Sequence, residues 1–290
     1  MDEAKGLQQF RTPGEMRMAV RAWQAAGLRV GLVPTMGALH AGHLSLVERI
    51  AEVVDRVIVS IFVNPTQFGP DEDFAAYPRP IARDLAALAD QPADAVYLPD
   101  AATMYPEDFS TSVQVGTLGK ILEGKFRPGH FEGVATVVTK LLGASRADVA
   151  IFGEKDYQQL VVIRRLVRDL DLGTEILAAP IVREPDGLAL SSRNAYLDAQ
   201  ARAVAPALYR TLCALKKAAQ SGGELRALER EGVRRLREAG FEAVDYCTFR
   251  DPETLQEISR LDRPARLLAV ARLAGTRLLD NLEVVPIGGG

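Results

Sequence analysis

The sequence predicts an α/β protein in which a doubly wound parallel sheet, residues 1–180, precedes a smaller α+β domain, residues 181–290. Two observations predict the sheet. Short apolar runs alternate with segments of helical periodicity, as in strands joined by right-handed helical crossovers. One run, Val57–Val63, is mostly β-branched, which is typical of a strand buried on both faces of a parallel sheet. A third observation, the turn-forming segment that follows Pro180, marks the domain boundary.

The first domain opens with a helix that ends at Gly27, and four strands alternate with helices from there on. The predicted strands cover residues 30–33, 57–63, 95–98 and 149–152. The predicted helices cover residues 14–26, 43–54, 80–90, 131–144 and 157–170.

The second domain begins with a predicted turn at Arg183–Gly187. Two helices follow over residues 198–219 and 224–239, separated by Gly222 and Gly223. Short strands are predicted near residues 242–249 and 266–273. This order of elements indicates a small α+β unit.

Composition indicates a soluble globular protein. Hydrophobic residues make up 48% and charged residues 25% of the 290 residues, and the net charge is -3, so no basic footprint for nucleic acid or an anionic membrane is present. No apolar run approaches the ~20 residues of a membrane span. The first residues, Met1–Lys5, open no secretory h-region, and Cys213 and Cys247 form no CxxC pair. We therefore expect a cytoplasmic location.

Two of the three histidines, His40 and His43, lie in one glycine-containing turn between a predicted strand and a predicted helix. Helical spacing begins at Leu44, so both imidazoles stand at a helix N-terminus, where unpaired N–H groups favour a phosphate. Zinc is the competing interpretation, but no nearby cysteine or HExxH pattern supports it. The turn also lacks the P-loop pattern and the GxGxxG of a dinucleotide fold.

Polar loops follow three of the predicted strands, over residues 36–43, 64–69 and 153–156. Since ligands of such sheets bind outside the carboxyl ends of the strands, we expect these loops to converge on one crevice. Lys155 opposes the dipole of the helix that it precedes, which a polyphosphate would offset, although a solvated charge cluster is the simpler interpretation.

Other side chains in these loops also suit a phosphorylated or acidic ligand. Gln67 and Gln159 offer neutral amides for a hydroxy acid, although either could be an ordinary surface residue. Ser191, Ser192 and Arg193 supply hydroxyls and a forked donor suited to phosphate. Alone, each of these signals is weak.

Several long motifs, in one order along the chain, resemble the pantothenate synthetase (pantoate–β-alanine ligase) family of the HxGH nucleotidyltransferase superfamily. The resemblance covers nearly the whole chain. The motifs are Pro34–His43, Ser60–Phe68, Arg127–Val134, Phe152–Leu160, Asp186–Asn194 and Thr276–Asn281.

The resemblance implies a Rossmann-like fold and an ATP-dependent condensation of pantoate with β-alanine through a pantoyl-adenylate. It implies that His43, His40, Lys155 and Arg193 are catalytic, with His43 a proton donor, and that Val182 contacts the adenine. ATP-binding positions carried over are Pro34, Thr35, Met36, Gly37, His40, Gly42, His43, Gly153, Glu154, Lys155, Asp156, Val182, Leu190, Ser191, Ser192 and Arg193. Those for pantoate and β-alanine are Gln67, Gln159, Asn64 and His130.

The resemblance further implies Mg²⁺ as the cofactor, a homodimer, and a C-terminal domain that covers the site. Asp84 falls where the family has acidic residues near the metal, but Arg83 stands beside it here. Two alternatives remain open on the sequence. Another HxGH nucleotidyltransferase should show basic residues for a phosphorylated acceptor in place of the glutamines, and a non-catalytic nucleotide-binding protein should have lost a histidine, the lysine or the Ser-Arg element.

Overall fold

The computed structural model of the protein describes residues 6–70 and 72–287. Residues 1–5, for which the sequence predicts no secretory h-region, lie outside the described residues. The chain divides into two compact units. The first contains the chain up to Glu154 together with Gln159–Pro180, and the second contains Lys155–Gln158 and the chain from Ile181 onward.

The first unit is built on a six-stranded, fully parallel sheet, which confirms the predicted fold class. Its strands are β1 (Gln8–Phe10), β2 (Val30–Thr35), β3 (Arg56–Ile61), β4 (Ala95–Tyr97), β5 (Val149–Gly153) and β6 (Glu175–Ala179). They lie in the order β1-β4-β3-β2-β5-β6. After β1, which lies at one edge, the chain forms β2, β3 and β4 in order toward that edge. It then returns to the other side of β2, where it forms β5 and β6.

Helices follow the strands along the chain. They are α1 (Pro13–Ala25), α2 (Ala41–Ala51), α3 (Ile81–Ala89), α4 (Ala101–Met104), α5 (Glu123–Phe126), α6 (His130–Ser145) and α7 (Tyr157–Asp169), whose first two residues belong to the second unit. Apolar side chains of neighbouring residues on β2 divide between two buried clusters, Leu32 in one and Val33 in the other. The sheet is thus apolar on both faces, as the β-branched run predicted.

The second unit packs helices against a three-stranded antiparallel sheet, which confirms the predicted α+β class. The helices are α8 (Ala199–Val204), α9 (Ala207–Gln220) and α10 (Leu225–Glu238), and the strands are β7 (Ala243–Arg250), β8 (Ala265–Leu273) and β9 (Thr276–Val284). The single helix predicted over 198–219 is two helices, because Pro206 cannot donate to the helical hydrogen-bond ladder. Among the described residues, no helix combines the length and apolar composition that a membrane span requires.

Candidate active site

The polypeptide turns sharply between β2 and α2, at the point where the sheet order reverses. Gly37 and Ala38 both have positive φ, 80° and 50°. Thr35 steadies the start of the turn, since its hydroxyl donates to the carbonyl of Ser60 (2.8 Å) and accepts from the Gly37 N–H (3.2 Å). The turn delivers the chain into the N-terminus of α2 beside the β2/β5 pair, which is where doubly wound sheets bind ligands.

Asp84, on α3, holds the other side of this turn. Its side chain is 1% exposed, and its two oxygens accept hydrogen bonds from the backbone N–H groups of Ala38 (2.9 Å) and Leu39 (2.8 Å). Both carboxylate oxygens are therefore aimed at the turn. Among the described residues, no group of three or more His, Cys, Asp or Glu side chains is placed to hold a metal ion. The observed contacts of Asp84 are with backbone N–H groups of the turn, and a contact between Asp84 and Mg²⁺ stays a prediction.

His40 and His43 form a reciprocal cap at the start of α2. The Nδ1 atom of His40 accepts from the Gly42 N–H (3.1 Å), and the Nδ1 atom of His43 lies 3.4 Å from the His40 N–H. The ring centroids are 4.1 Å apart. Because Nδ1 accepts in both rings, each neutral imidazole carries its proton on Nε2 and is a donor there. The turn thus combines two ring N–H donors with the N–H groups of a helix N-terminus, which suits an anion.

The loop after β3 meets the end of β2, so two of the three loops expected to converge do so. Gln67, 9% exposed, points its Nε2 atom at the Met36 Sδ atom across 3.2 Å. Asn64 is 1% exposed and donates from Nδ2 to the Gln67 Oε1 atom (3.0 Å) and to the Gly133 carbonyl (3.2 Å). A Cβ at Gly133 would lie 2.3 Å from the Thr66 carbonyl oxygen, so glycine is what lets α6 approach this loop. Direct contact of Asn64 with substrate stays a prediction, while its contact with Gln67 is observed.

His130, at the start of α6, supports the backbone of the same loop. Its Nδ1 atom is 2.8 Å from the Gln67 carbonyl oxygen, and its Nε2 atom is 3.1 Å from Nη1 of Arg127. Arg127 in turn forms a two-pronged pair with Glu72, at 2.7 and 2.6 Å. Burial, aided by the charge of Arg127, lowers the pKa of His130 to about 4. The ring is therefore neutral near pH 7, with its proton on Nδ1, and it positions Gln67 from behind.

The low pKa of His130 predicts an acid-sensitive fold. The folded ring binds fewer protons than the unfolded chain between its folded pKa of about 4 and the ordinary value of about 6.5, so stability falls as pH falls through that window. The contribution lost by about pH 5 is on the order of 2 kcal/mol. Arg127, Glu123 and Glu72 are the charged groups that face the ring. His130→Asn keeps a donor toward the Gln67 carbonyl but cannot titrate, so urea unfolding should show a shallower acid loss in the variant. Identical pH slopes for the two proteins would contradict this assignment.

Two of the predicted phosphate-binding residues of the second unit, Lys155 and Ser191, line one pocket. Lys155, Ser191, Asn194 and Asp280 are among its lining residues. The carbonyl of Lys155 accepts a hydrogen bond from the Asn281 Nδ2 atom (2.9 Å), which fixes the backbone that carries the lysine. Its Nζ atom lies 3.8 Å from a carboxylate oxygen of Asp156. These contacts group Lys155 with the second unit, although the sequence assigned it to the first domain.

A tight hairpin presents the Ser191–Arg193 segment. Leu190 donates to the Val182 carbonyl (3.0 Å), and the turn between them contains Gly187, with φ of 95°. A Cβ at Gly187 would lie 2.2 Å from a ring carbon of Tyr209, so both the turn and its packing require glycine. The Ser191 hydroxyl accepts from the Arg193 N–H (3.3 Å) and starts a 3-10 turn over Ser192–Tyr196.

The predicted residues are thus divided between the two units. Pro34–His43, Asn64, Gln67, His130, Gly153, Glu154 and Gln159 belong to the first, and Lys155, Asp156, Val182 and Leu190–Arg193 belong to the second. That the two sets act on one ATP molecule stays a prediction. Sequence reasoning missed the turn-holding role of Asp84 and the support that Arg127 and Glu72 give to the Gln67 loop, since no local pattern reports such long-range pairs.

Comparison with known proteins finds similarity along almost the entire chain. The family model described as pantoate-beta-alanine ligase matches residues 8–283. The pantothenate synthetase of Rhodospirillum rubrum is 56% identical over 275 residues, which cover 94% of this chain and 98% of the relative. That of Sphingopyxis alaskensis is 52% identical over 278 residues, covering 96% of this chain and 100% of the relative.

Solved structures give the same result. The crystal structure of pantothenate synthetase from Thermus thermophilus superposes with a TM-score of 0.90 at 47% identity, covering 97% of this chain and 100% of that one. The pantoate-beta-alanine ligase of Francisella tularensis, described as complexed with beta-gamma ATP and beta-alanine, has a TM-score of 0.79 at 32% identity and covers 95% of this chain and 97% of its own.

Proposed function

The chain belongs to the pantoate–β-alanine ligase family, and from this premise we propose which of its residues carry out each part of the reaction. The enzyme condenses pantoate with β-alanine, using ATP and releasing AMP and pyrophosphate through a pantoyl-adenylate. The match of the family model to residues 8–283 is the observation that carries this function. Neither alternative function has a specific observation in its favour.

In the first step the pantoate carboxylate attacks the α-phosphorus of ATP. The bond between the α-phosphorus and the oxygen that bridges to the β-phosphate breaks, and pyrophosphate leaves. Negative charge develops on the phosphate oxygens and on the departing pyrophosphate, so catalysis consists of positioning and charge stabilisation. We assign this stabilisation to the Nε2–H groups of His40 and His43, to Lys155 and to Arg193. Two observations support this assignment. The two histidines place ring donors at a helix N-terminus, and Lys155 lines a pocket of the second unit.

Around these groups, backbone of Met36, Gly37 and Gly153 is proposed to hold ATP, and Val182 to contact the adenine. Gln67 and Gln159 are proposed to hold pantoate in line with the α-phosphorus. In the second step the β-alanine amine attacks the acyl-adenylate carbonyl, and the carbonyl–phosphate oxygen bond breaks to release AMP. This route requires no covalent enzyme intermediate and therefore no activated cysteine or serine.

Mg²⁺ is proposed to enter with ATP as part of the substrate, bound by phosphate oxygens and water. That assignment follows from Mg²⁺ chemistry and from the engagement of both Asp84 oxygens with backbone N–H groups. We also propose that the first unit binds ATP and pantoate, that the second covers the site, and that the enzyme is a cytoplasmic homodimer. The roles of the two units and the homodimer rest on the family alone, and the cytoplasmic location rests on the composition and cysteine pattern of the sequence.

Product analysis tests the function. Incubation with ATP, pantoate and β-alanine should yield pantothenate, AMP and pyrophosphate in equal amounts. Formation of ADP and phosphate would instead indicate an acyl-phosphate route and overturn the adenylate mechanism.

A further inference from the structure

Tyr105, which directly follows α4, approaches the Gln67 loop with its hydroxyl group. Its ring packs against Phe62 and Phe109, with centroid separations of 6.3 and 5.1 Å, and the Nζ atom of Lys140 lies 5.8 Å from its centroid. Held in this way, its hydroxyl donates to the Asn64 Oδ1 atom at 2.7 Å. Tyr105 lies outside the motifs that relate the chain to its family.

The hydrogen bonds around the amide of Asn64 favour one of its two orientations. Its Oδ1 atom faces the Thr66 N–H (3.3 Å) and the Thr66 hydroxyl (2.9 Å), and its Nδ2 atom faces the Gly133 carbonyl (3.2 Å). A backbone N–H can only donate and a backbone carbonyl can only accept. A flipped amide would therefore lose both backbone hydrogen bonds, and the Tyr105 hydroxyl reinforces the orientation that is left.

The orientation of the Asn64 amide determines the orientation of the Gln67 amide. The Asn64 Nδ2 atom is a donor, so the Gln67 atom 3.0 Å from it must be the acceptor Oε1. The opposite side of the Gln67 amide is then Nε2, which points toward Met36 at the end of β2. Gln67 consequently offers N–H donors at the carboxyl end of the sheet. A carboxylate substrate can only accept hydrogen bonds, so the orientation matches the acid.

We propose that Tyr105 is a positioning residue for pantoate, acting through Asn64 to hold the Gln67 amide with its N–H group toward the acid. The inference rests on the proposed placement of pantoate at Gln67. The Tyr105 hydroxyl acts in this proposal through Asn64, to which it donates, and not by its own contact with the acid. The hydroxyl raises the fraction of molecules in which the Gln67 amide points its N–H group toward the acid.

Tyr105→Phe removes this hydroxyl and keeps the ring with its packing against Phe62, Phe109 and Lys140. We expect the KM for pantoate to rise about fivefold, the change typical of losing one net hydrogen bond, with kcat within about twofold of wild type and the KM for ATP unchanged. Tyr97→Phe is the matched control. Tyr97 is fully buried in the same unit and its hydroxyl faces the Met104 sulfur at 3.8 Å, away from Asn64, so its loss should leave all three constants unchanged.

A double-mutant cycle separates positioning from general loosening of the fold. In a Gln67→Ala background, kcat/KM for pantoate, taken from the linear range of substrate concentration, should not fall further when Tyr105→Phe is added. An unchanged pantoate KM in Tyr105→Phe alone, or the same fivefold loss in both backgrounds, overturns the proposal. Failure of the proposed function is distinguishable, because wild-type enzyme would then show no pantoate-dependent reaction at all.

Discussion

Replacement of Lys155 by alanine is expected to slow pantoyl-adenylate formation by at least about 10²-fold while the fold remains intact. The lysine lines the pocket of the second unit with Ser191, and its backbone is fixed by Asn281. Its charge is proposed to act on the phosphate oxygens, where negative charge increases in the transition state. Removing a charge that acts mainly in the transition state lowers the rate of the chemical step more than it weakens substrate binding. Single-turnover measurement of adenylate formation, with β-alanine omitted, isolates this step.

Lys217→Ala is the matched control for Lys155→Ala. Lys217 lies in the last turn of α9 in the same unit, so its removal changes the net charge equally without reaching the pocket. The control should form adenylate at the wild-type rate. Near-normal adenylation by Lys155→Ala itself would remove the lysine from the site.

Asp84→Ala is expected to lower both stability and activity. The substitution leaves two backbone N–H groups of the turn without their carboxylate acceptor, and each such buried group costs about 1–3 kcal/mol. We expect the free energy of unfolding to fall by about 3 kcal/mol. The turn would also release Gly37 and Ala38 from their positive-φ conformation and shift the two histidines. A displacement of about 1 Å suffices for a loss on the order of 10²-fold in adenylation.

Urea unfolding and single-turnover adenylation measure the two effects of Asp84→Ala. Arg83→Ala, an exposed neighbour on α3, is the control and should change neither. The Mg²⁺ concentration that gives half-maximal rate should be unchanged in Asp84→Ala. A large rise in that concentration without loss of stability would instead make Asp84 a metal ligand.

Much of the first unit could be predicted because its sequence periodicity is simple. The change from a buried run to helical spacing across Gly37 locates β2 and α2, and the β-branched residues locate β3. By contrast, β1 has three residues, too few to show a period, and β6 is a largely half-exposed strand that starts at Glu175. Strand β9 interleaves charged and apolar residues around Asp280, so it offers no uninterrupted apolar run.

The site was predictable only where its residues are neighbours in sequence. His40 and His43 form one turn, and Ser191–Arg193 form one hairpin arm, so local pattern was sufficient to single them out. Asp84 and Leu39 are 45 residues apart, and Arg127 and Glu72 are 55 apart. Pairings at that separation depend on tertiary packing, which composition and periodicity do not encode. The same limit explains why Tyr105 could not be connected to Gln67 in advance.

Exchange of labelled pyrophosphate into ATP measures the adenylation of pantoate that is proposed at the histidine turn. The wild-type enzyme should catalyse exchange that requires pantoate and Mg²⁺ and proceeds without β-alanine, because the first step is reversible and does not involve the amine. Absence of exchange with pantoate, or exchange only with a phosphorylated acceptor, would show that this enzyme does not adenylate pantoate.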